Sequence, residues 1–477
     1  MTVTNTKSQK FILPTIFVLF GITGDLVKKK ILWALYDLYL KNFLPQKLLI
    51  YGFARRPFKD EEIRAYLKTI LQKGGVELKN VEKFLAAFHY VQGDFSELDA
   101  YTKLAKILGR ADGVWRVCSN KLFYLAVPPS AYLQIIKNLH ESGLTTPCSP
   151  EEGWTRVILE KPFGTDLNTA KQLDMQLGSL FKEEQIYRVD HYLAKETVRN
   201  IVAFRFSNVF LEPAWNNKFI EKIEIKLLEP TGVSERGDFY DKVGALRDVG
   251  QNHLLQLLAL FIMDEPIRFT PEAIKKERAD ALSSLKIMTS DEVKKHTVRG
   301  QYQGYRKEKG VSQKSNMETY FKIKVLSDKH DFRGVPLYIE SGKCMKQDLI
   351  EVVVTFKPST SPFINVNHDP QNVLHYQLRP EEKITMCFLA KKPGFEYMVK
   401  EHELGFDYHQ AYDHSLFVDD YEALLYDIIK GDQTLFVSTQ EIITQWKLIE
   451  PIVEIWKKGA PKLNYYKPLL YEGAKIK

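Results

Sequence analysis

Phe11-Ile12-Leu13-Pro14-Thr15-Ile16-Phe17-Val18-Leu19-Phe20-Gly21-Ile22-Thr23-Gly24-Asp25-Leu26 is the stretch on which the fold turns. Ten apolar-rich residues follow Lys7 and Lys10, the outline of a secretory leader. The run ends in glycines and an aspartate rather than a small-residue cleavage site, and it is too short to cross a bilayer. A buried parallel strand fits it better, because such strands are apolar on both faces. Gly21 and Gly24 then allow a sharp turn and close approach of a ligand to the backbone. Ile31-Leu32-Trp33-Ala34-Leu35-Tyr36 continues with helical periodicity. Strand, glycine turn and helix in that order make a dinucleotide site, with a pyrophosphate at the helix N-terminus. The spacing G-x-x-G-D-L departs from G-x-G-x-x-G, so the motif alone is only suggestive.

The neighbouring segments extend this pattern. Lys47–Ala54 reads as a second strand ending in Arg55-Arg56-Pro57. A carboxylate at that point suits a free ribose 2′-hydroxyl, whereas Arg55 suits the 2′-phosphate of NADP. Helical patterns at Glu61–Leu71, Tyr101–Leu108 and Ser130–Leu139 alternate with strand patterns at Ala86–Val91, Lys121–Val127 and Arg156–Glu160. That alternation predicts a doubly wound parallel sheet with ligands beyond its carboxyl edge, where Gly21, Arg55, Pro128 and Lys161 all fall.

From about residue 200 the pattern becomes two-fold. Ile220–Leu228, Thr319–Leu326, Glu351–Phe356 and Lys383–Leu389 read as strands of a large, mostly antiparallel sheet. Helical segments intervene at Gly244–Met263 and Asp419–Ile429. The fold class is therefore α/β plus α+β: a Rossmann-like domain over 1–190 and an α+β domain over 191–477, whose large sheet would suit self-association. The length of 477 residues exceeds what one core supports. A net charge of +7, spread along the chain, suits a small anion and offers no dense basic surface for nucleic acid. No segment is expected to span a membrane. The four cysteines, Cys118, Cys148, Cys344 and Cys387, are far apart without a C-x-x-C pair. They are expected to be thiols in a reducing cytoplasm, with neither a zinc knuckle nor a disulfide framework.

Two stretches hold the candidate chemistry. Tyr187–Glu196 places Asp190, His191, Tyr192 and Lys195 together. Read as a helix start, it puts His191 and Lys195 four apart on one face, which would suit a phosphate; taken alone, the stretch reads equally as a solvated turn with an ordinary charged helix face. Arg247–Leu258 sets Asp248 and Asn252 on one helical face, while His253 sits five residues from Asp248, roughly 140° around an α-helix. His402, Glu403, Asp407, His409, Asp413 and His414 match no standard metal spacing and read as a polar surface loop, so no metal is expected.

The motifs GITGDLVKKK (Gly21–Lys30), YGFARR (Tyr51–Arg56), YLAVPPS (Tyr124–Ser130), EKPFG (Glu160–Gly164), RVDHYLAKE (Arg188–Glu196), EPTG (Glu229–Gly232), RDVGQNHLLQ (Arg247–Gln256), VRGQY (Val298–Tyr302) and GVPLYIESGK (Gly334–Lys343) occur in one order. Through them the chain resembles glucose-6-phosphate dehydrogenase from about residue 15 to about residue 465. The resemblance implies oxidation of glucose 6-phosphate at C1 by NADP⁺. It implies His253 as general base, oriented by Asp190. The substrate would be held by Lys161, His191, Tyr192, Lys195, Glu229, Asp248 and Lys343. The cofactor would be held by Gly21, Thr23, Gly24, Asp25, Arg55, Lys161 and Pro162. It also implies a homodimer or homotetramer. The chain departs from the family pattern at Ala194, usually Gly; at Gly250, often a larger residue; at Asp348, often basic; and at Arg379, Gln in some members.

Overall fold

Six buried residues, Thr15–Phe20, form strand β1, and the alternation of their side chains supplies two cores at once. Phe17 and Leu19 enter one apolar cluster, and Ile16, Val18 and Phe20 enter the other. A strand covered on both faces must be apolar throughout, which is why this segment resembles a leader peptide in composition. The computed structural model describes residues 13–75, 78–148, 153–359 and 371–476. Phe11 and Ile12 of the quoted stretch lie outside them.

β2 (Leu48–Ala54), β3 (Phe88–Gln92), β4 (Asn120–Leu125), β5 (Thr155–Glu160) and β6 (Ile186–Val189) join β1 in a six-stranded parallel sheet of order β3-β2-β1-β4-β5-β6. This is the doubly wound order, with its switch point between β1 and β4. The helices Asp60–Lys73, Leu98–Trp115 and Tyr132–Glu141 occupy the intervals that the periodicity predicts.

The second sheet contains nine strands among the described residues: β7 (Ile220–Leu228), β8 (Thr297–Tyr302), β9 (Tyr320–Val325), β10 (Leu337–Gly342), β11 (Leu349–Phe356), β12 (Val373–Arg379), β13 (Lys383–Lys391), β14 (Val399–Asp407) and β15 (Asn464–Tyr466). Their order is β14-β13-β12-β11-β7-β10-β9-β8-β15. Only β7/β10 and β8/β15 run parallel; the other pairs are antiparallel.

The chain separates into two compact units that are not single stretches. The first comprises the residues through Gly164, Asn168–Ala194 and Val418–Val437; the second comprises Thr165–Leu167, Lys195–Phe417 and the residues from Ser438. One cut between 190 and 191 leaves out the return of 418–437 to the first unit. That return is integral: Val437 N–H donates to the Arg188 carbonyl at 3.1 Å, Val189 bridges to Phe436, and Arg156 Nη1 donates to the Ile429 carbonyl at 3.0 Å.

Three local expectations are corrected. Cys118 and Cys148 form a disulfide, with Cα atoms 6.1 Å apart. Chain folding brings together two residues whose thirty-residue separation carries no pairing signal. His191–Ala194 is a short 3₁₀ turn, and Lys195 is extended (φ −60°, ψ 136°) at the cap of the helix Glu196–Ser207. His191 and Lys195 therefore do not share one α-helical face. The polar residues near 402 are not a loop throughout: His402, Glu403 and Asp407 lie on β14, and His409 on the short helix Tyr408–Ala411.

Candidate active site

In the first unit the carboxyl edge of the parallel sheet collects the expected cofactor residues. Gly21 follows β1; its φ of +78° favours glycine, and a Cβ there would lie 2.5 Å from the Ala126 carbonyl oxygen. Gly21 N–H donates to the Phe53 carbonyl at 2.9 Å, and Gly24 N–H to the Gly21 carbonyl at 2.8 Å. Thr23 lies in this turn, and a helical run begins at Asp25. Asp25 is exposed and pairs with Lys28 at 3.5 Å. The run continues as a π-helical stretch, Val27–Ile31, and then as the helix Leu32–Leu40. Arg55 and Arg56 follow β2 and are exposed. Their backbone is anchored: Gln92 donates to the Arg55 carbonyl at 3.2 Å, and the Tyr90 hydroxyl donates to Ala54 and Arg56 carbonyls. The two guanidinium groups are thus carried on a fixed strand end.

At the end of β5, Glu160 precedes Lys161 and Pro162, which are joined by a cis peptide bond. The Glu160 carboxyl is buried and accepts a hydrogen bond from the Tyr124 hydroxyl at 2.5 Å, while the Tyr132 hydroxyl donates to its carbonyl at 2.9 Å. Burial pushes its pKa up to about 7, against the lowering effect of hydrogen bonds from Tyr124 and Tyr421 and of the Lys161 charge. Tyr421 belongs to the helix Asp420–Lys430 of the returning segment. The His191 ring stacks on Tyr421 at 6.2 Å and meets Tyr192 edge-on at 5.0 Å. Asp190 is buried and shapes the turn, accepting Tyr192 N–H at its carboxylate (3.1 Å) and Leu193 N–H at its carbonyl (3.0 Å).

In the second unit the segment Leu246–Leu254 is π-helical rather than α-helical. Bonding from i to i+5 puts Asp248 and His253 about one turn apart, which corrects the 140° separation. Asn252 Nδ2 donates to the Asp248 carbonyl at 3.1 Å, and Asn252 Oδ1 accepts His253 N–H at 2.7 Å. His253 is 1% exposed. Gly250 has a packing reason: a Cβ there would sit 2.7 Å from the Phe321 ring.

Glu229, Asp248 and Lys343 gather around one tyrosine that the sequence reading missed. Lys343 Nζ bonds the Glu229 carboxylate and lies 5.9 Å from the Tyr240 ring centre. The buried Tyr240 hydroxyl has its pKa raised, first by burial and then by the Asp248 carboxylate, with Glu229 contributing. Arg236, also missed, reaches Asp248 at 3.4 Å. β-Sheet register fixes this cluster: Glu229 N–H donates to the Gly342 carbonyl and Lys343 N–H to the Thr319 carbonyl, each at 2.9 Å. Lys195 caps its helix, and the Arg199 N–H donates to its carbonyl at 2.9 Å. The arrangement offers carboxylates and an ammonium to a hydroxylated ligand.

Two family models cover nearly all of the chain: the NAD binding domain of glucose-6-phosphate dehydrogenase over 18–200 and its C-terminal domain over 202–475. The chain belongs to the glucose-6-phosphate dehydrogenase family. A glucose-6-phosphate 1-dehydrogenase of Chlamydia muridarum is 35% identical, the match covering 95% of this chain and 92% of that one. One of Borreliella burgdorferi is 38% identical over 92% and 91%. A solved glucose-6-phosphate dehydrogenase in complex with its substrate glucose-6-phosphate superposes with a TM-score of 0.89 at 32% identity, covering 99% of this chain and 97% of that one. The parallel and mostly antiparallel sheets are those of the family fold, and the protein is an oxidoreductase of this family. No described helix is long and apolar enough to cross a membrane.

Proposed function

We propose that this protein oxidises D-glucose 6-phosphate at C1 with NADP⁺, giving 6-phospho-D-glucono-1,5-lactone and NADPH, the first step of the oxidative pentose phosphate pathway. The observation that carries this reading is family membership over nearly the full chain, with the family's motifs present on the elements described above apart from the departures at Ala194 and Gly250. The glycine turn at Gly21–Gly24, the helical run beginning at Asp25 and the paired arginines after β2 are a donor set suited to a pyrophosphate and a 2′-phosphate. Thr23, Pro162 and Lys161 complete that cofactor site. When bound, the nicotinamide supplies a hydride acceptor.

The protein's own groups supply position and a base. His253 takes the proton of the C1 hydroxyl as hydride leaves C1, so the alcohol loses both hydrogens and becomes the lactone carbonyl. Asp190 orients His253 and stabilises the imidazolium. His191 and Lys195, with Tyr192 beside them, hold the substrate phosphate through charge-assisted hydrogen bonds. Glu229 and Asp248 accept from sugar hydroxyls, and Lys161 and Lys343 fix the ring. Arg55 selects the 2′-phosphate. The proposed working form is a cytoplasmic homodimer or homotetramer; Leu404 and Phe406, exposed on β14, suit self-association. The test is steady-state NADPH formation with glucose 6-phosphate against other sugar phosphates and free glucose, each with NADP⁺ and NAD⁺. Absence of turnover on glucose 6-phosphate with either cofactor would overturn the proposal.

A further inference from the structure

Behind the π-helical segment, wholly within the second unit, lies a cavity of about 330 Å³ that the reaction above does not use. This is within the size range of small-molecule sites. Asp241, Arg247, Arg299, Glu318, Trp456 and Lys457 are among its walls. We propose that this cavity is a second binding site, for a small anion bearing two or more carboxylate or phosphate groups.

The argument rests on where donor capacity is left. Arg299 is 5% exposed, yet only its Nε has a hydrogen-bond acceptor among the described residues, the Pro461 carbonyl at 2.8 Å. Its two terminal nitrogens, the bidentate fork that suits carboxylate and phosphate, have none. Burial lowers the pKa of both Arg299 and Arg247, against the raising effect of the Glu318 carboxylate. Arg247 donates through Nε to Val243 (2.7 Å) and through Nη2 to Lys242 (2.6 Å). Lys457, at the rim and exposed, has no partner among the described residues.

The acids offset less than their number suggests, because donors already hold them. Asp241 accepts from the Tyr305 hydroxyl at 2.9 Å, from the Ser315 hydroxyl and from Ser312 N–H at 3.1 Å. Glu318 accepts from Leu246 N–H at 3.2 Å. The Arg299 fork lines the cavity without a protein acceptor among the described residues, and a bound anion supplies one. The occupant would touch Arg247, whose neighbour Asp248 belongs to the cluster around Tyr240.

Isothermal calorimetry on the full chain, in a buffer free of phosphate and sulfate, tests this with two probes. Citrate represents carboxylate chemistry and pyrophosphate represents phosphate chemistry. The expected result is saturable binding of at least one probe with Kd below about 1 mM, weakened about tenfold in Arg299→Met and about threefold in Lys457→Met. Should Arg299→Met fail to fold, Lys457→Met at the exposed rim decides alone. Binding of neither probe below about 1 mM, or unchanged affinity in either folded variant, overturns the proposal.

Discussion

Arg379 Nε lies 2.8 Å from Asp348 Oδ1, so two of the four positions that depart from the family pattern are paired with each other. Both side chains are close to half exposed, and such a pair contributes about 0–1 kcal/mol to stability. Its interest lies in charge placement: the cation absent at position 348 is present at 379. Arg379→Gln is expected to raise KM for glucose 6-phosphate about threefold to tenfold with kcat and thermal stability nearly unchanged. Asp348→Asn, which releases the guanidinium, is expected to lower KM. An unchanged KM in both variants would remove this pair from the substrate site.

Glu160 makes stability depend on pH. Its folded pKa of about 7 stands above the ordinary 4.5, so the folded state holds the proton more tightly than the unfolded chain. The contribution is fully present below 4.5 and is lost as pH rises through about 7, amounting to about 1–3 kcal/mol. Glu160→Gln keeps a neutral side chain at this position and removes the dependence. Denaturant unfolding at about pH 5 and about pH 8 should show wild type losing ground to the variant at the higher pH. A constant difference between the two would contradict the assignment.

His253→Asn is expected to lower kcat by about 10²–10⁴-fold while NADP⁺ binding persists. Asparagine preserves a polar side chain of similar reach but cannot take a proton at neutral pH. Fluorescence titration of the cofactor alongside turnover separates the two effects. Near-normal turnover would exclude His253 as the base.

Arg55→Ala should weaken NADP⁺ by about tenfold to a hundredfold, the range for a charge-assisted contact, and change NAD⁺ by less than about twofold. The comparison of kcat/KM for the two cofactors reads this directly. Equal losses would show that Arg55 does not read the 2′-phosphate.

The elements legible in the sequence are those that local pattern determines. β7 occupies the expected Ile220–Leu228 because buried apolar and less buried polar side chains alternate along its middle, Ile223 to Leu227. β1 and the Gly21 turn are similarly local, since apolarity on both faces and a positive φ leave direct traces in residue type. Other features depend on packing. Nothing in RDVGQNHL distinguishes a π-helix from an α-helix; Gly250 against Phe321 and Glu318 against Leu246 N–H are contacts with distant residues. Tyr240, Tyr421 and the Cys118–Cys148 bond belong to the same class, as their partners come from other parts of the chain. The division of Tyr187–Glu196 into a 3₁₀ turn and a separate helix follows from Asp190, whose carboxylate captures Tyr192 N–H and closes a turn where helical propensity alone favours continuation.

The return of residues 418–437 to the first unit dictates the timing of biosynthesis. Tyr421, Leu424, Leu425, Ile428 and Phe436 are part of the same apolar cluster as Phe17 and Leu19. A ribosome that has delivered Ala194 must continue to Val437 before that cluster can close. At about 5–20 residues per second the interval is roughly tens of seconds. During that interval the nascent dinucleotide fold presents uncovered apolar surface, so one of the first segments made cannot mature until one of the last has emerged.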